Sequence, residues 1–135
     1  MSSEAITRND LTAILNNVLP PTNTDYVVAQ GTDGIWTYRK WNSGVAECWG
    51  VNKRNTSLAS NSHATIGTSL PTLFVNELPI AIANGGGVGQ PNTFIAYTNT
   101  GGSSGAYYID CYIRNNSGGA CASQWAFFYA IGKWK

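Results

Sequence analysis

The acidic side chains are Glu4, Asp10, Asp25, Asp33, Glu47, Glu77 and Asp110, and His63 is the one histidine. A Ser-His-Asp mechanism needs a serine presented on a strand-to-helix elbow. No nucleophile-elbow pattern is read in the sequence. His63 lies in the polar run Asn61-Ser62-His63 and reads as a solvated loop residue. A cysteine–histidine pair would need a thiol beside it, and nothing local supplies one. Two carboxylates could serve glycoside hydrolysis if the fold brought them together, but their spacing favours no pair. The chain therefore reads as a protein that is not an enzyme.

Cys48, Cys111 and Cys121 are the only cysteines. An odd count without dense spacing argues against a disulfide framework, and the absence of CxxC or Cys/His clusters argues against zinc. Cys111 alternates with Ile109 and Ile113 and reads as a small core residue. Cys121, in Gly-Gly-Ala-Cys-Ala, is expected to be the most exposed of the three. Gly85 to Gly89 reads as a flexible loop. It lacks the Lys-Ser/Thr of a phosphate-binding loop and no helix follows it, so neither nucleotide nor any other cofactor is expected.

Binding chemistry is better represented than catalytic chemistry. Sugars stack apolar faces on aromatic rings while polar side chains hold their hydroxyls. Tyr108, Asp110, Tyr112 and Arg114 fall on one face of an alternating strand, and Tyr107, Ile109, Cys111 and Ile113 fall on the other. The first set is the candidate ligand-binding face. Packing against a second sheet or another subunit is the other use such a face has. Trp36, Tyr38, Trp41 and Trp49 are assigned to core and interface.

The elements that must carry these residues are mostly strands. Residues 7 to 18 form the one good helix pattern: Thr7 as N-cap, Asp10 three residues on, and a stripe of Leu11, Ile14, Leu15 and Val18. Pro20-Pro21 ends it. So short a helix is marginal alone. It packs either on the head or with copies of itself as a stem, and a terminal stripe suits the end of a longer fibre. Residues 36–41 and 45–51 flank the turn Asn42-Ser43-Gly44. A two-residue turn sets Glu47 opposite Lys40, and a three-residue loop sets it opposite Arg39; either makes a cross-strand ion pair. Residues 52–68 read as a long polar loop or weak edge strand, and 73–83 as two strands interrupted near Asn76-Glu77-Leu78-Pro79. Thr93 to Thr98 is a short strand, Gly101 to Gly105 a loop, and Asn115 to Gly119 a turn. In the last strand, 124–131, Trp125, Phe127, Tyr129 and Ile131 alternate with Ala126, Phe128 and Ala130, so both sides read as covered.

The architecture expected is all-β: an antiparallel β-sandwich head over residues 22–135 on a short α-helical stem over residues 1–21. Only 11% of the 135 residues are charged and the net charge is +1, so no field steers the chain toward nucleic acid or an anionic membrane. No stretch approaches the roughly 20 apolar residues of a membrane span, and residues 1–9 carry no apolar signal core. Five Trp and seven Tyr with so little charge describe either a carbohydrate-facing surface or an obligate oligomer.

The run Asp25 to Gly50 contains Trp36-x-Tyr-Arg-Lys-Trp-x-Ser-Gly-x-Ala-x-Cys-Trp-Gly50, and the chain ends Ala130-Ile-Gly-Lys-Trp-Lys135. Both motifs resemble the C-terminal head domains of phage and prophage tail-fibre proteins. A fainter likeness, at the level of fold, is to H-type lectin domains; no sugar ligand is carried over from it. The tail-fibre resemblance implies a homotrimer on a virion, made in the bacterial host cytoplasm. It would contact other virion proteins through the N-terminal helix and host cell-surface polysaccharide through the head, binding without cleavage. A structural head-fibre or capsid-decoration protein is the alternative, and a glycan-degrading tailspike is the third possibility.

Overall fold

The computed structural model describes residues 7–18, 24–88, 94–103 and 105–135. Helix α1 (Arg8–Val18) starts as predicted. The Thr7 hydroxyl accepts the Asp10 N–H at 3.1 Å, and the Asp10 carboxylate accepts the Thr7 N–H at 3.0 Å. This reciprocal pairing satisfies donors that a helix start would otherwise leave open. Leu11, Ile14 and Leu15 stay about half exposed, so the stripe does not pack on the head. The Val18 side chain, Pro20-Pro21 and Glu4 lie outside the described residues, as does the expected domain boundary.

The head is two antiparallel sheets. One has the order β1-β2-β3-β8-β5, built from β1 (Val27–Asp33), β2 (Trp36–Trp41), β3 (Val45–Arg54), β8 (Gln124–Lys133) and β5 (Ile80–Gly87). The other has the order β4-β7-β6, from β4 (His63–Ser69), β7 (Ala106–Asn115) and β6 (Phe94–Ser103). The β-sandwich expected from alternation is therefore present. The inward positions are those that alternation selects: Ile109, Cys111 and Ile113 from β7 meet Trp36, Cys48, Ala126 and Phe128 from the larger sheet, all buried. The Trp36 and Phe128 rings sit 5.9 Å apart and tilted at 47°. Each such aliphatic or aromatic burial is worth roughly 1.5–3 kcal/mol.

Side chains stitch the sheets at their edges. Asn52 donates to the Gly67 carbonyl at 3.2 Å and the Trp36 indole to the Ser69 carbonyl at 2.9 Å, both on edge strand β4. On the other side, Thr98 of β6 accepts the Ala83 N–H at 2.7 Å and donates back to the Ala83 carbonyl at 3.2 Å. Edge groups that would template pairing with another chain are thus occupied.

Several expectations change. The 36–51 hairpin takes the three-residue-loop register, Arg39 opposite Glu47, with Gly44 at φ +95°. The polar stretch 52–68 is shared between the end of β3, a loop and the edge strand β4, so His63 begins a strand and remains exposed. Only one strand comes out of 73–83; Leu73 and Phe74 are buried in the connection before it. Gly85-Gly86-Gly87 is not a loop but the end of β5. Its glycines admit close neighbours: a Cβ on Gly85 would come within 2.7 Å of Ile113, and one on Gly86 within 3.0 Å of the Trp125 indole. Gly89 and Thr93 lie outside the described residues. Gly101 to Ser103 likewise extend β6. Cys121 is buried, not exposed, its thiol donating to the carbonyls of Val88 and Ser123, both at 3.0 Å.

Candidate functional site

The sequence-selected face is the outer surface of the three-stranded sheet. Tyr107, Ile109, Cys111 and Ile113 point into the core, so Tyr108, Asp110, Tyr112 and Arg114 point outward along a stripe of about 20 Å. Register adds the flanking strands. His63 lies beside Arg114, Thr65 beside Tyr112, Gly67 beside Asp110 and Ser69 beside Tyr108 on β4. On β6, Asn99 lies beside Asp110 and Gly101 beside Tyr108.

Two glycines shape this face. A Cβ on Gly101 would meet the Tyr108 hydroxyl at 2.5 Å and its ring at 2.7 Å, so the ring lies across the bare backbone of β6. Tyr108 is 40% exposed. On the other flank, a Cβ on Gly67 would collide with the Asp110 carboxylate, which leans over β4. Side chains ordinarily stand off a sheet; these two lie down because their cross-strand neighbours have none. The Tyr108 ring end thus leans over β6 and the Asp110 carboxylate over β4, one to each side of β7.

Asp110 accepts no hydrogen bond from any described side chain or backbone N–H. Arg114 has no carboxylate partner among the described residues and stands next to His63. The end of the stripe is held by Asn115, fully buried at the close of β7. Its amide donates to the carbonyls of Leu58 at 3.0 Å and Gly119 at 2.9 Å, while its oxygen accepts the Ser117 N–H at 3.0 Å and hydroxyl at 2.6 Å. Ser60 donates to the Ser117 carbonyl as well. One side chain thereby ties the 55–62 loop to the 115–119 turn and places Arg114 and His63 side by side.

The other residues with chemical potential have structural partners. Glu47 accepts the Tyr129 hydroxyl at 2.8 Å and is only 4.0 Å from Arg39, so the expected ion pair exists but the tyrosine is the nearer partner. Burial, and then the Glu47 hydrogen bond, push the Tyr129 hydroxyl pKa up. Burial drives the Cys48 thiol up to about 12 and raises that of Cys111, so neither is a thiolate near neutrality. Gly101-Gly-Ser-Ser-Gly105 does have the spacing of a nucleophile elbow, contrary to the expectation from sequence, but Ser103 closes β6 and a strand follows, not a helix. Among the described residues no group of three His, Cys, Asp or Glu side chains converges as a metal site.

Alternation along 106–114 identified the outward stripe. It missed Gly67 and Gly101, because each matters only through the neighbour opposite it on another strand.

No family model and no curated protein matches this sequence. Solved structures do. An N-truncated R1-type pyocin tail fibre superposes over 90% of this chain and 94% of its own, at 14% identity and a TM-score of 0.55. The head has the fold of an R-type pyocin tail-fibre domain. A longer C-terminal portion of the P. aeruginosa R1 pyocin fibre matches over 95% of this chain at 15% identity and a TM-score of 0.55. The chain spans about a third of that structure, 32% of its length. At such identity the likeness is one of fold, and it agrees with the tail-fibre resemblance carried by the hairpin and the chain end.

Proposed function

We propose that this chain is the tip of a phage-tail-type fibre. In this reading it assembles as a homotrimer on a virion or tail-like particle, contacts other virion proteins through α1, and attaches to host cell-surface glycan. The observation that carries the binding role is the outer face of β4-β7-β6. A half-exposed tyrosine ring leaning over Gly101 offers a stacking surface of the kind a pyranose uses, and the Asp110 carboxylate, which accepts no hydrogen bond from the described residues, offers an acceptor for its hydroxyls. Arg114 and His63 extend the polar end of the same stripe. The pyocin-fibre fold supports the attachment setting.

Binding without cleavage fits the same face. Glycoside hydrolysis ordinarily takes two carboxylates, and Asp110 is the one acid that the registers of β4, β6 and β7 place there. Three copies would let weak sites hold a surface through avidity. The free, buried cysteines suit synthesis in a reducing cytoplasm.

The test is a binding screen of the full chain against a panel of purified bacterial surface polysaccharides, with release of reducing ends measured in parallel. Retention of at least one polysaccharide by the parent chain, its loss in Asp110→Ala, and no reducing ends would support the reading. Binding that survives both Asp110→Ala and Tyr108→Ala would move the site elsewhere. Release of reducing ends would replace attachment by hydrolysis.

A further inference from the structure

The five-stranded sheet has an outer face of a different kind. Ile80 is 75% exposed, Ile82 62% and Phe127 52%. Register joins them into one surface: Ile80 lies beside Ile131, Ile82 beside Tyr129, and Tyr129 beside Trp49. Val51 lies beside Phe127, and Leu78 and Val88 prolong the row at either end of β5. Near Leu78 and Ile80 the surface dips into a hollow of about 300 Å³ whose floor includes Ile131 and Val45.

We infer that this face is the self-association surface of the chain, and that its occupant is the same face of further copies arranged around one axis. The inference rests on the trimeric reading above and names the surface that makes the trimer. The area points first to a protein occupant. Ile80, Ile82, Val88, Phe127, Leu78 and Val51 are 75, 62, 55, 52, 50 and 39% exposed, which together is on the order of the few hundred Å² that monomers at most leave in water. That is also a large part of the roughly 800 Å² that each partner contributes to a stable interface.

The arrangement of charge points to a copy of this chain. Glu47 lies within the patch, opposite Ile131, but is occupied by the Tyr129 hydroxyl at 2.8 Å and faces Arg39 at 4.0 Å; Lys53 at one end and the Glu77–Lys133 pair, 3.3 Å apart, at the other put both signs on the rim. A largely apolar centre within a polar rim is the anatomy of a protein interface. A rim of mixed sign lets identical faces meet with acids opposite bases, and a net charge of +1 leaves little repulsion between copies. Helix α1 gives independent support. Its stripe of Leu11, Ile14 and Leu15 is also uncovered, and association of copies would cover both surfaces. Closure around an axis uses the face completely and leaves no free copy of it to propagate aggregation.

The test is solution mass of the full chain by light scattering, for the parent and for Ile82→Asp. Ile82 is largely exposed in the single chain, so the charge should harm association far more than folding. The parent should weigh three times 14.5 kDa and the variant 14.5 kDa, with an unchanged far-ultraviolet circular dichroism spectrum. A variant that stays at threefold mass overturns the assigned surface and leaves the trimeric reading standing. A monomeric parent overturns both. Should Ile82→Asp fail to fold, Ile82→Cys decides the matter. The native thiols are buried, so mild oxidation should link copies through residue 82 and leave Tyr108→Cys, on the opposite sheet, unlinked. Absence of cross-linked Ile82→Cys would remove the face from the interface.

Discussion

The two outward faces of the sandwich share one core yet differ in almost every other respect. On β4-β7-β6 the outward residues are His63, Thr65, Gly67 and Ser69 beside Tyr108, Asp110, Tyr112 and Arg114. On β3-β8-β5 Trp49, Val51, Phe127, Tyr129, Ile131, Ile80 and Ile82 share the outward side with Glu47, Lys53, Lys133 and Asn84. A sheet with one polar face toward water is the ordinary state of an antiparallel sandwich. A second face that leaves Val51, Phe127, Ile80 and Ile82 this exposed is not. The contrast matches the two roles proposed above, a ligand face and a self-association face, which composition alone merged.

Substitutions can break that contrast or sharpen it. The largest effect should come from Phe128→Ala, which empties the core beneath both faces. It should cost about 3–5 kcal/mol of stability by denaturant titration, and ligand binding and association should fall together. Asp110→Ala should divide the faces. A charged hydrogen-bond partner is worth roughly 1.5–3 kcal/mol, so polysaccharide affinity should drop about ten- to a hundredfold by calorimetry while solution mass stays constant. Tyr108→Ala should do the same more gently, by roughly 0.5–1.5 kcal/mol. Gly101→Val, which lifts the ring without removing it, should mimic that loss.

The smallest effect concerns a hairpin end away from both faces. The Asp25 carboxylate accepts the Ser43 hydroxyl at 2.6 Å and N–H at 2.9 Å, which hold its pKa below the ordinary 3.8. A depressed folded value means the contribution is complete above pH 3.8 and disappears as pH falls through the lower folded value. Thermal melts of the parent and Asp25→Asn should therefore differ slightly at neutral pH and converge in acid. Neither face should respond.

Local patterning carried a good deal of this. The capping pair Thr7 and Asp10, the 36–51 hairpin, the inward and outward sets of 106–114 and the 115–119 turn are each contained in a short window, where alternation or cap chemistry suffices. The errors have a common cause. Gly85 to Gly87 and Gly101 to Ser103 have loop-forming composition, yet they are strands because Ala126, Trp125 and Tyr108 lie opposite them. Cys121 has the flexible flanks of an exposed thiol, but its backbone pairs with that of Leu58 at 2.8 and 2.9 Å, closing it into the core. For Gly85 to Gly87 and Cys121 the partner lies far along the chain, and for Gly101 to Ser103 it is the adjoining strand β7; in each case pairing overrode local propensity.

The sequence by itself determined which residues of each strand share a side, because the period of two is a property of the extended backbone. It determined the tail-fibre likeness through the hairpin and the chain end, and it marked Tyr108, Asp110, Tyr112 and Arg114 as one stripe. Only the tertiary structure decided what stands beside each stripe. It inserted β8 between β3 and β5, joining Val51, Phe127 and Ile82 from three distant segments into one apolar surface. It also set Gly67 and Gly101 against Asp110 and Tyr108, so that those side chains lean over the bare backbone of β4 and β6. Cross-strand neighbours follow from pairing and register, and those are set by the whole core rather than by any one strand.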